Sequence, residues 1–250
     1  MTHDLLDVFE AQNSIISFVG AGGKKSLMFR LAAAHKGRVG ITATAHIEFF
    51  PQSLQAKNYI ADEAELLEAI KNDEHSQKIA FAKPSKRFGR RAGISLNSVN
   101  TFRDAGNFDL MVIKADGARG RFIKAPAEHE PAISPDTNII VPVVSAKVMG
   151  LPLSDEIAHR VEEIGKVCHM NPNEIIEPQH IARLFTSTSG LLKNTDDKII
   201  IPVINMVDDE VLENVAKMAA AEMLTLSDRF NKVVLTSTKT YACIIDVVTD

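Results

Sequence analysis

Tryptophan is absent from the 250 residues, which leaves 2 Tyr and 12 Phe as the only large rings. A core of this size must then rest on Ile, Val, Leu, Ala and Met, a bias that suits parallel strands covered on both faces by helices. Cysteine is scarce as well. Cys168 and Cys243 show no framework spacing, which excludes a disulfide scaffold and points to a reducing compartment. Positive charge is not in excess: a net charge of −4 supplies no long-range field for nucleic acid or an anionic membrane, so neither is expected as a partner. No uninterrupted apolar stretch is long enough to span a bilayer. The first residues, Met-Thr-His-Asp-Leu-Leu-Asp, lack a basic segment ahead of an apolar run. A cytoplasmic location is the expectation. With 45% hydrophobic and 24% charged residues, the chain has the balance of an ordinary folded domain and not of a disordered one.

Two kinds of chemistry are also missing. No Gly-x-Ser-x-Gly elbow points to a hydrolase triad, and Gly20, Gly22 and Gly23 do not give the Gly-x-Gly-x-x-Gly spacing of a dinucleotide site. Cys168, His169, His159 and His180 lack a recognised ligand spacing, so no metal site independent of a nucleotide is expected.

What is present is an alternation of short apolar runs and helical patterns. Residues 14–19 (SIISFV) predict a buried strand, followed at once by glycines and then by Leu27, Met28, Leu31 and Ala32 at helical spacing. Further strands are predicted over 39–42, 78–82, 109–115, 138–144, 198–205, 232–236 and 242–248. Helices are predicted over 63–71, 155–167, 178–185 and 209–223. The order implies an α/β fold with a mostly parallel, doubly wound sheet, whose ligands bind beyond the carboxyl ends of the strands. One nucleotide-binding domain over 1–250 is expected, with a helical insertion around 154–195.

The first strand end carries Gly20-Ala21-Gly22-Gly23-Lys24-Lys25-Ser26. Glycines let backbone N–H groups converge on an anion, and the helix that follows adds its positive end. A lysine there reaches the outer phosphates and a hydroxyl holds Mg²⁺. The full pattern G-x-x-x-x-G-K-[ST] is not met: with Lys24 as the phosphate lysine, Lys25 takes the hydroxyl's place, and the loop is short. The next strand ends in Thr42-Ala43-Thr44-Ala45-His46, which reads either as a capped turn with a structural histidine or as a phosphate contact. A third strand ends in Lys114-Ala115-Asp116-Gly117-Ala118-Arg119-Gly120-Arg121. An aspartate opposite a phosphate loop can hold Mg²⁺, directly or through water, and Arg119, Arg121 and Lys124 can neutralise phosphate charge. Asn205-Met206-Val207-Asp208 ends a later strand. It reads as a turn with a helix cap at Asp208 or Asp209, or as a relative of Asn-Lys-x-Asp, in which the aspartate reads guanine; Met206 stands where the lysine would be. The basic run Lys83, Lys86, Arg87, Arg90 and Arg91 is either a solvated loop or a cationic rim.

These blocks resemble the YqeC family, described as accessory proteins of selenium-dependent molybdenum hydroxylases. The resemblance rests on residues 19–24, on 42–47, and above all on Ala115-Asp116-Gly117 together with Lys124-Ala125-Pro126-Ala127-Glu128-His129-Glu130-Pro131; His159-Arg160, Asn205 and Asp208 also fit. It implies a P-loop NTPase-like three-layer sandwich and a role in maturing a molybdenum hydroxylase or inserting its cofactor. Lys25 stands where a threonine is expected and Lys114 where a glutamate usually precedes Ala-Asp-Gly. On this footing Gly20 to Gly23 cradle the phosphates of ATP or GTP, Lys24 bridges them, and Ser26 with Asp116 holds Mg²⁺. Arg119 and Arg121 stabilise charge, and His129 or Glu130 acts on a second substrate or on water. Thr42, Thr44, His46, Asn205 and Asp208 complete the binding site. The alternative is a non-catalytic carrier of a molybdopterin-type ligand, favoured by the extra lysines; a third reading is a small-molecule kinase.

Overall fold

The computed structural model describes residues 4–195, 197–240 and 242–249. In chain order the elements are α1 (Leu5–Val8), β1 (Ser14–Gly20), α2 (Lys24–Ala34), β2 (Val39–Ala43), β3 (Lys57–Ile60), α3 (Glu63–Lys71), β4 (Lys78–Ala82), α4 (Val99–Gly106), β5 (Leu110–Lys114), β6 (Ile123–Lys124), β7 (Ile139–Ser145), β8 (Ala158–His159), α5 (Val161–Cys168), α6 (Pro178–Thr186), β9 (Ile199–Ile200), β10 (Val203–Asn205), α7 (Glu210–Leu226), β11 (Lys232–Thr236) and β12 (Ile244–Thr249). The main sheet runs β12-β11-β10-β7-β1-β5-β2-β4-β3, with β9 also on β7. Every pairing in it is parallel except that of β12 with β11. This is the α/β, mostly parallel arrangement expected from the sequence.

The central strands are apolar along their whole length because both of their faces are covered. β1, β5 and β7 are buried at every residue. Their side chains alternate between faces with a period of two. Ile16, Phe18, Leu110, Val112, Val141 and Val143 pack with Leu27 and Leu31 of α2 on one face. On the other face Met111 and Ile113 meet α3 and α4 through Leu66, Ile70 and Phe102, and Ile140 and Val144 meet α5 to α7 through Ile164, Ile181 and Ala216. Residues 154–195 thus supply part of the same core cluster that receives β7 and β11.

Several predicted elements shift or split. The run 198–205 is two pieces, β9 and β10, separated at Ile201-Pro202; proline offers no N–H to a ladder. The helix predicted over 155–167 starts only at Val161, because Ala158 and His159 pair with Ile123 and Lys124 as β8 on β6. β3 and α4 lie in stretches with weak periodicity and were not expected. Asp209, not Asp208, caps α7, accepting from the Leu212 N–H at 2.9 Å.

The glycines after β1 are required by close packing. Gly20, Gly22 and Gly23 have φ of +87°, +78° and +95°, a region costly for residues with a Cβ. A Cβ at Gly20 would fall on the Val143 carbonyl oxygen, and one at Gly22 on the Ser145 amide nitrogen. Gly20→Ala is therefore expected to cost about 3 kcal/mol or more, from positive φ and overpacking together. Gly89→Ala, at φ +68° with nothing within 4 Å, is expected to cost about 1 kcal/mol. Urea denaturation midpoints of the two variants check the difference.

Candidate functional site

β1 ends between β5 and β7, so the loop 20–23 opens at the carboxyl edge of the sheet. Three of its N–H groups are taken by the protein. Gly20 N–H donates to Asp116 Oδ2 at 2.9 Å, Ala21 N–H to the Val143 carbonyl at 2.8 Å, and Gly22 N–H to the Arg121 carbonyl at 3.1 Å. α2 then begins at Lys24 with no side-chain cap on its first turn. The N–H groups that open this helix, residues 23–26, are the ones that helical geometry leaves without an internal partner.

Lys24 is 4% exposed. Its Nζ donates to the Gly20 carbonyl and to Asp116 Oδ1. Asp116, 2% exposed just beyond β5, is also paired through Oδ2 with Lys124 at 2.9 Å. Burial alone would raise the Asp116 carboxyl, but Lys24 and Lys124 outweigh it and hold it below its ordinary range. Lys124 is fully buried; its Nζ also reaches Glu130 at 2.7 Å and the Gly117 carbonyl at 2.8 Å. Glu130 is braced in turn by Arg160 at 2.7 Å. Burial opposes its ionisation, yet Lys124 and Arg160 bring its carboxyl down to about 2. The sequence reading placed Lys124 on phosphate and Glu130 on substrate or water; the fold joins them to each other and to Asp116.

Lys114 stands at the end of β5, opposite Phe18 of β1 and Ala43 of β2. It is 6% exposed, and its Nζ donates to the His46 carbonyl at 2.6 Å. No acidic partner reaches it among the described residues. Burial and the nearby Lys24 push its pKa down to about 7. His46 is lowered by its own desolvation and by Arg87, Lys114 and Arg90. Those arginines sit on the predicted rim, which the Ile47–Arg91 bridge ties to the end of β2. Glu48 joins the rim to α2 by pairing with Lys25 and, at 2.8 Å, with Arg90.

The remaining predicted residues divide into braces and surface groups. Thr42 and Thr44 spend their hydroxyls on the carbonyls of Phe81 and Ala132. Asn205 sits beneath the glycine loop, donating from Nδ2 to the Gly22 carbonyl at 2.7 Å and accepting from Thr236 Oγ1 at 2.9 Å. Asp208 is held by Lys147 at 2.7 Å, Lys239 at 2.8 Å and the Ser237 hydroxyl at 2.7 Å. Arg119, Arg121 and His129 are exposed. Arg121 donates to the Glu156 carbonyl at 3.0 Å, and His129 lines an open cavity with Leu96, Pro131, Ser134 and Lys198. Lys147, Ser237, Lys239 and Glu48 were not singled out in the sequence, because isolated polar residues at strand ends carry no spacing signal.

The donor set gives little to a magnesium ion. Both Asp116 oxygens already face cations, and Ser26 is exposed on the first turn of α2. Among the described residues, no group of three or more His, Cys, Asp or Glu is placed to hold a metal. Nor is any helix long and apolar enough to cross a membrane.

Residues 16–162 match the family model described as YqeC protein. The protein YqeC of Escherichia coli (strain K12) is 31% identical over 184 residues, which cover 72% of this chain and 71% of that one. Among solved structures, the crystal structure of HypB from Helicobacter pylori in complex with nickel aligns over 94% of this chain and 84% of that one. The TM-score is 0.39 and the identity 11%, too low to bear on function.

Proposed function

The chain belongs to the YqeC family, and we propose that it is a nucleotide-binding accessory protein that matures a molybdenum hydroxylase or inserts its cofactor. One observation carries the phosphate site: a buried lysine, Lys24, opens a helix whose first turn has no side-chain cap, directly behind a strand at the middle of a parallel sheet. A phosphate there meets N–H groups 23–26 and the positive end of α2, with the Lys24 ammonium, still paired with Asp116, beside it. Gly20 to Gly22 shape the loop and Asn205 supports it from below. In this reading the rest of the ligand, or a second substrate, lies towards His46, Arg119, Arg121, His129 and Asp208, while Thr42 and Thr44 brace the strand end from within. The whole described chain acts as one domain in this reading, in the cytoplasm.

The excess of buried lysine favours a carrier that holds its ligand over an enzyme that turns it over, because extra positive charge stabilises a bound anion and does not by itself activate water. The test is a thermal-shift screen of ATP, GTP, CTP and a molybdopterin-type ligand, on the wild type and Lys24→Met. A ligand at a hundred times its Kd is expected to add about 2.7 kcal/mol, a shift of several degrees for a chain of this size. The shift is expected to vanish in Lys24→Met. A triphosphate that shifts the protein names the base, whereas a shift confined to the pterin ligand supports the carrier. No shift with any of them overturns the reading.

A further inference from the structure

We propose that this chain binds its phosphate ligand without a divalent cation, lysine charge taking the place that a metal would fill. The proposal rests on the phosphate site put forward above. Around that site Lys24, Lys114, Lys124 and Arg160 bring four positive charges, whereas Asp116 and Glu130 bring two negative ones. Both carboxylates are spent: Asp116 faces Lys24, Lys124 and the Gly20 N–H, and Glu130 faces Lys124 and Arg160. A magnesium ion would have to displace a buried lysine to gain an anionic protein ligand, and would raise a local charge that is already positive.

An anionic phosphate does the reverse. At 6% exposure the Lys114 Nζ bonds a backbone carbonyl and pairs directly with no carboxylate among the described residues, Asp116 acting on it only from further off. A buried ammonium that no carboxylate touches is costly. The surplus of lysine and arginine over Asp116 and Glu130 suits a terminal phosphate, which carries close to two negative charges near neutral pH. Lys25, on the first turn of α2 with Glu48 and Arg90, adds a further cation at the rim. The ligand class is therefore a metal-free di- or triphosphate group, free or as part of a nucleotide.

Isothermal titration of the wild type with ATP, GTP and inorganic tripolyphosphate, each in EDTA and in excess Mg²⁺, tests this. The Kd in EDTA is expected to equal or better that in Mg²⁺. Lys114→Met, with its fold confirmed by circular dichroism, is expected to weaken metal-free binding by about tenfold or more, the loss of one charge-assisted contact. Lys114→Glu is expected to abolish binding in EDTA and to restore part of it in Mg²⁺. A triphosphate that binds only in Mg²⁺ overturns this proposal and leaves the nucleotide site standing. Tripolyphosphate that binds in EDTA while ATP and GTP fail does the opposite. Unchanged metal-free binding in Lys114→Met also overturns it, and no binding by any probe removes both.

Discussion

Lys124→Met is expected to lose about 3–5 kcal/mol, enough to unfold a marginal domain. Lys124 is fully buried and is the common partner of Asp116, itself 2% exposed, and of Glu130. Removing it leaves Glu130 with Arg160 and Asp116 with Lys24, so neither carboxylate is orphaned outright. Each nonetheless loses one of its two cations in a largely buried site, and the Gly117 carbonyl loses its donor. The thioether replaces the volume of the lysine stem but none of these bonds, so the loss is electrostatic and not a packing defect. Thermal unfolding is expected to drop by roughly 10 °C or more. Lys217→Met makes the contrast: Lys217 pairs with Glu213 and Asp246 from a side chain that is 43% exposed. Its loss is expected to stay within about 0.5 kcal/mol. Equal melting temperatures for the two variants would mean that the buried network contributes nothing.

Lys114→Met is expected to move stability the other way, by about 2 kcal/mol in favour of the folded state at pH 6. The pKa of Lys114 falls to about 7 in the fold, first through burial and then through Lys24, against about 10.4 in an unfolded chain. Between those two values the unfolded state holds more protons, so wild-type stability rises with pH from about 7 towards 10 as far as this group is concerned. Below pH 7 the folded protein keeps a buried ammonium beside like charge and carries the full cost. Methionine has nothing to protonate, so the advantage of the variant is largest at pH 6 and shrinks as the pH climbs towards 10. Urea midpoints at pH 6, 8 and 10 follow it. A variant less stable than the wild type at pH 6 would show that the His46 carbonyl contact outweighs the desolvation of the charge. Together with the expected loss of anion binding, a gain in stability makes Lys114 a residue kept for its ligand at the expense of the fold.

Much of the architecture is legible in the sequence. Short Val-, Ile- and Leu-rich runs bounded by turn residues read as interior strands, and 63–71, 78–82 and 232–236 fall on α3, β4 and β11 to the residue. β3 escaped notice because it is an edge strand with mostly exposed residues, where no burial pattern exists to read. α4 escaped because its eight residues place only Val99, Phe102 and Gly106 inside, too few to establish a period.

The sequence by itself determined which residue types stand at the strand ends: the glycine loop with Lys24, the Asp116 block, the Lys124–Glu130 run and Asn205. These are local facts, since a strand delivers its last residue to the sheet edge wherever that strand lies. Only the tertiary structure decided who meets whom. The order β10-β7-β1-β5-β2 brings Asp116 under Gly20, Asn205 beneath Gly22 and Lys114 against His46, and the β6–β8 pair sets Lys124 against Asp116. In a parallel sheet neighbouring strands are joined through helices and loops of many residues. Their pairing is therefore set by the burial of whole faces, and no spacing between the motifs along the chain encodes it.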